Sequence, residues 1–99
     1  MNEGETMVED YKDIVSTILQ TLKDNLISGK KVQKELLWAE RFGVSEKCII
    51  SIFEELIDSG YIKGCVVKTI SGEKILYGIG NAEITLSGVD YLEIEKEFK

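Results

Sequence analysis

The chain has 99 residues, 43% hydrophobic and 30% charged, a composition that suits one soluble globular domain with a single core. Its formal net charge of −6, from 18 acidic and 12 basic side chains, opposes nonspecific attraction to a phosphate backbone unless basic residues gather locally. No basic segment followed by an apolar one opens the chain, and no apolar run approaches the ~20 residues that span a bilayer, so a cytoplasmic protein without membrane contact is expected.

Residues 1–9 are acidic and poor in apolar side chains, which predicts a flexible N-terminal arm ahead of one domain over residues 10–99. From Asp10 to Ile27, Tyr11, Ile14, Val15, Ile18, Leu19, Leu22 and Leu26 recur at helical spacing and form one core-facing stripe. Ser28-Gly29 ends this helix, glycine tolerating the left-handed turn beyond a helix end. Lys30 to Lys34 makes a basic connector. A short second helix over Gln33 to Phe42 is expected to bury Leu36 or Leu37, Ala39 or the Glu40 stem, and Phe42.

Gly43-Val44-Ser45 is a tight turn, with Ser45 placed to N-cap the third helix by accepting from an unpaired backbone N–H. There Ile49, Ile52, Phe53, Leu56 and Ile57 follow the i, i+3, i+4, i+7, i+8 pattern, the strongest periodic signal in the chain. Ser59-Gly60 stops the helix. Tyr61 to Thr69 and Glu73 to Ile79, rich in β-branched residues and joined through Ser71-Gly72, predict a hairpin. Thr85 is a candidate N-cap for a last helix from Leu86 to about Phe98, with Leu86, Val89 and Leu92 toward the core. Three helices, a β-hairpin wing and a C-terminal helix make an α+β winged helix-turn-helix.

Gly43-Val44-Ser45-Glu46, Leu56 through Asp58-Ser59-Gly60-Tyr61-Ile62-Lys63-Gly64, and Thr85 through Gly88 with Tyr91-Leu92 carry a resemblance. On these motifs the chain resembles the YjcQ-like family of small bacterial winged-helix proteins, many of which look like products of prophage or other mobile elements. The resemblance implies a winged helix and brings no catalytic residues with it. The glycine-tyrosine and threonine-glycine motifs are common to many winged helices, so they specify fold better than family.

Winged helices most often bind DNA, and two opposed sets of residues bear on that expectation. Lys30, Lys31 and Lys34 on the connector and Lys63, Lys68 and Lys74 on the wing are candidate phosphate contacts, with Lys47 and Ser51 on the third helix facing the groove. The same helix face carries Glu46, Glu54, Glu55 and Asp58, and base reading calls for Arg, Lys, Asn or Gln rather than carboxylates. Residues 46–99 hold 10 acidic and 6 basic side chains, against 8 and 6 in residues 1–45. A DNA-binding regulatory protein is one expectation. The alternative is an acidic protein-interaction module that has lost DNA binding, with a basic partner such as a nucleic-acid-binding host or defence protein. Its contact candidates are Glu46, Ile50, Glu54, Glu55 and Asp58. Tyr91, Ile94 and Phe98, at i, i+3 and i+7, form a second stripe suited to a homodimer or partner contact unless the first helix covers it.

Enzyme chemistry is not expected. The chain lacks histidine, a nucleophile beside a base, a phosphate-binding loop and metal-ligand spacing, and Gly78-Ile79-Gly80 lacks the strand and helix of a dinucleotide site. Cys48 and Cys65 fall in different elements without CxxC spacing, so reduced thiols are expected and no cofactor or metal is implied.

Overall fold

The apolar stripe at the start of the chain forms helix α1 (Glu3–Ser28) of a computed structural model that describes the backbone of residues 3–97 and the side chains of residues 11–95. The helix begins at Glu3 rather than near Asp10, so residues 3–9, expected as an arm, carry helical backbone. Ile14, Val15, Ile18, Leu19 and Leu22 are buried, while Tyr11 and Leu26 at the ends of the stripe remain 39% and 53% exposed. Gly29, at φ +72°, lets the Lys30 N–H return to the Asn25 carbonyl at 3.1 Å and close the last turn.

The continuous second helix expected over Gln33 to Phe42 is instead a 3₁₀ turn (Lys34–Leu36) and a short α2 (Ala39–Phe42), separated by extended Trp38. Leu37 and Ala39 are 0% and 3% exposed, and residues two apart on one helix point to nearly opposite sides. The break lets both enter the core. Arg41 Nη1 donates to the Leu36 carbonyl at 2.6 Å, satisfying an acceptor near the break.

Helix α3 (Glu46–Asp58) follows its sequence pattern closely. Ser45 Oγ accepts from the Cys48 N–H at 3.1 Å, and Ile49, Ile52 and Phe53 are fully buried. Strand β1 (Ile62–Lys63) pairs antiparallel with β4 (Glu83–Ile84), and β2 (Val66–Ile70) pairs antiparallel with β3 (Glu73–Tyr77). The hairpin is therefore interrupted at its base, and β4 is an addition to the expected pattern. Only Gly64 and Cys65 separate β1 from β2, whereas residues 78–82 separate β3 from β4, and a 3₁₀ turn (Ile79–Asn81) takes up the excess. At the tip Ser71 and Gly72 have φ of +52° and +83°, the positive pair that matches a two-residue turn to strand twist.

Thr85 fastens helix α4 (Leu86–Glu97) to the end of α3. Its hydroxyl oxygen accepts from the Gly88 N–H at 3.1 Å and its hydroxyl hydrogen goes to the Gly60 carbonyl. A Cβ on Gly88 would lie 2.3 Å from the Tyr61 carbonyl oxygen, so glycine permits this close crossing. Leu86, expected in the core, is 78% exposed because the first turn brings Gly88 to the buried side, with Leu92 2% exposed further along. Thr85→Ala is expected to cost about 1–2 kcal/mol, through loss of the cap and of the bond to Gly60, and Thr85→Ser to restore most of it. Urea denaturation followed by helical circular dichroism measures the difference.

Candidate interaction face on the third helix and hairpin

The hairpin folds over the first turns of α3. Together Glu46, Lys47, Ile50 and Ser51 from the helix and Gly72, Glu73 and Lys74 from the hairpin line an open groove of about 460 Å³. Ile50, an apolar residue of the groove lining, is half-buried and packed against the core. Gly72 and Glu73 join the expected residues because the tight turn at Ser71-Gly72 swings the start of β3 over the helix.

Lys74, expected to reach phosphate, donates to Glu54 Oε1 at 2.6 Å across the helix–hairpin junction. That hydrogen bond and the Glu54 charge hold the ammonium above its ordinary pKa, with Asp58 adding in the same direction. Both partners retain solvent access, Lys74 at 50% and Glu54 at 32% side-chain exposure, so the contact orders charge more than it stabilises the fold. Glu46, Glu54, Asp58 and Glu73 thus set four carboxylates on this side against the two ammonium groups of Lys47 and Lys74, while Glu55 turns to α1.

None of the other lysines expected on DNA lines the groove. Lys30 and Lys31 are exposed beside the end of α1, in a cleft that shares no residue with the α3 groove. The Lys34 ammonium sits 4.7 Å from the centre of the Trp38 ring, and Lys68 sits 5.8 Å from that of Tyr77 on the hairpin. Lys63 stands across the ladder from Glu83.

Where α1 meets the far side of α3, the Tyr11 hydroxyl donates to Glu55 at 2.7 Å. Burial, then this hydrogen bond and the Glu55 charge, push the phenol up to about 12 from 10.0. Burial and a hydrogen bond to Glu95 also raise Tyr91. The folded protein holds these protons where the unfolded chain releases them. Their contribution to stability is therefore intact below pH 10.0 and is lost as pH rises toward about 12 for Tyr11. Tyr11→Phe should flatten the alkaline fall in stability and remove the highest-pKa step from the phenolate absorbance titration. Loss of a step near pH 10.0 instead of the highest one would separate Tyr11 from Glu55.

Tyr91 is engaged within the chain, stacked on Tyr61 with ring centres 4.7 Å apart and bonded through its hydroxyl to Glu95 at 3.0 Å. Ile94 is 53% exposed, and Phe98 lies outside the described residues. Lys23 of α1 bridges to Glu93 of α4 at 2.8 Å, so α1 packs beside this stripe without covering Ile94. Cys48 and Cys65 are free, half-buried and buried respectively, and burial pushes the Cys65 thiol pKa up. Among the described residues no group of acidic, cysteine or histidine side chains is arranged to hold a metal, and no helix is long and apolar enough to cross a membrane.

No curated protein and no solved structure matches the chain. A family model does, over residues 16–98, which takes in everything from the middle of α1 through α4 and so both the groove and the hairpin. By that match the chain belongs to the YjcQ protein family.

Proposed function

We propose that this α+β fold is a non-enzymatic winged helix whose α3 and wing hold a basic segment of a partner protein. One observation carries the reading: the wing lysine that faces α3 is bound by Glu54, leaving a face with a carboxylate excess. Duplex DNA presents one phosphate charge per ~1.7 Å of axis, and most affinity comes from neutralising it, which this face opposes. A partner bearing arginine or lysine meets complementary potential, and Ile50 offers a small apolar seat beside it.

Fluorescence anisotropy with two labelled probes tests this, a short peptide alternating arginine and leucine and a random-sequence duplex. The peptide is expected to bind, more weakly as salt rises, and the duplex to stay free at physiological salt. Duplex binding tighter than peptide binding, with a steep salt slope, would overturn it.

A DNA reading keeps support from exposed lysines outside the groove, Lys30, Lys31 and Lys34 on the connector with Lys63 and Lys68 on the strands. It would be phosphate binding by a surface distinct from the α3 groove. Lys30→Gln with Lys31→Gln would then reduce the salt slope of duplex binding by about two.

A further inference from the structure

From the cleft at the end of α1, we infer a second binding site, independent of the α3 face, for a carboxylate carried on an apolar body. The cleft, of about 480 Å³, lies between α1, the connector and the turn before β4. That volume is in the range of small-molecule sites. Leu22, Leu26, Val32 and Ala82 give it apolar walls, and Lys30 and Lys31 stand at it as cations.

Both walls are set by backbone hydrogen bonds. On one side the Lys30 N–H closes onto the Asn25 carbonyl at 3.1 Å. On the other, Asn81 N–H donates to Gly78 at 2.8 Å and Ala82 N–H to Ile79 at 3.1 Å. The Asn81 carbonyl rests against Gly64 where a Cβ would not fit. A ligand therefore meets a shape already formed, which limits the ordering cost of binding.

Asn25 also lines the cleft, and its Nδ2 is out of contact with solvent without a hydrogen-bond acceptor. A buried amide donor left unpaired costs about 1–3 kcal/mol, so an acceptor within reach is favoured. The terminal torsion of Asn25 is soft, and a ligand in the cleft would draw Nδ2 toward itself by rotation about it. One carboxylate oxygen then accepts from Asn25 while the lysines balance the charge. Glu83 at the same cleft opposes a second negative charge, which selects a monocarboxylate over a phosphate or dicarboxylate. The carboxylate can come from a free acid or from the C-terminus of a peptide chain.

Proton–nitrogen correlation spectra of the full chain resolve this at the Asn25 side-chain amide itself. Hexanoate, hexanol and an acetylated tetrapeptide with a free C-terminal leucine are titrated separately. Saturable movement of the Asn25 amide signals with hexanoate supports a free acid, and with the peptide alone it supports chain-end capture. Lys30→Gln with Lys31→Gln should weaken either by about tenfold, roughly the worth of two partly exposed charge contacts, and Asn25→Asp should abolish it. Equal binding of hexanol, or Asn25 signals that move with neither carboxylate, would overturn the site. So would undiminished binding in the lysine variant, which holds whether or not Asn25→Asp folds.

Discussion

Gly64→Ala should lower the stability of the protein by about 3–5 kcal/mol, a large share of the roughly 5–15 kcal/mol typical of a domain. Two causes act at this position. Gly64 has φ +89°, outside the region that side-chain-bearing residues favour. A Cβ there would also sit 2.0 Å from the Asn81 carbonyl oxygen and 2.9 Å from its carbon, both backbone atoms of the turn that joins β3 to β4. Unlike the tip of a flexible side chain, this turn is held by its own hydrogen bonds and by the pairing of Glu83-Ile84 with Ile62-Lys63. Relieving the clash means displacing it, with Ala82 and Ile84 drawn out of the core.

Gly60→Ala separates the two causes. Gly60 has φ +78° but nothing within 4 Å of the added carbon, so alanine should cost only about 1–2 kcal/mol there. Urea unfolding, followed through the single tryptophan, gives both values under one set of conditions. Near-equal losses at the two positions would mean that the turn over residues 78–82 does not press on Gly64.

The contrast between these glycines bears on what the sequence can convey. Elements that depend on near neighbours were legible: the α3 stripe from Ile49 to Leu56, the Ser45 and Thr85 caps and the Ser71-Gly72 turn all rest on short-range spacing. Strand β4 was not, because Glu83-Ile84 is too short to show a period and becomes a strand only by meeting Ile62-Lys63 from across the hairpin. The break in the second helix answers to the core, where Leu37 and Ala39 both must fit. Among the site residues, the acidic character of α3 could be read directly. That Lys74 would be drawn to Glu54 could not, since their meeting depends on how the hairpin crosses the helix. Nor could the separation of Lys30 and Lys31 from the α3 groove, which follows from where α1 ends.

Reversing two of the α3 charges should invert the preference of the face. In Glu54→Lys with Asp58→Lys, a basic peptide loses two attractive contacts and meets two repulsive ones. At roughly 0.5 kcal/mol for each partly exposed term this amounts to about 2 kcal/mol, or roughly thirtyfold weaker binding. Lys74 loses its partner in the same variant and faces a cation where Glu54 had been. Lys47, Lys74 and the two new lysines would then form a basic face on the helix and hairpin, and salt-sensitive binding to random duplex should rise above that of the parent chain. Neither substituted residue is among the buried core, and circular dichroism and the urea midpoint would establish that the fold is retained. Peptide binding unchanged by the reversal would remove this face from the proposed function. A gain of duplex binding together with loss of the peptide would identify local charge on the α3 and hairpin face as what sets the choice between nucleic acid and a basic peptide.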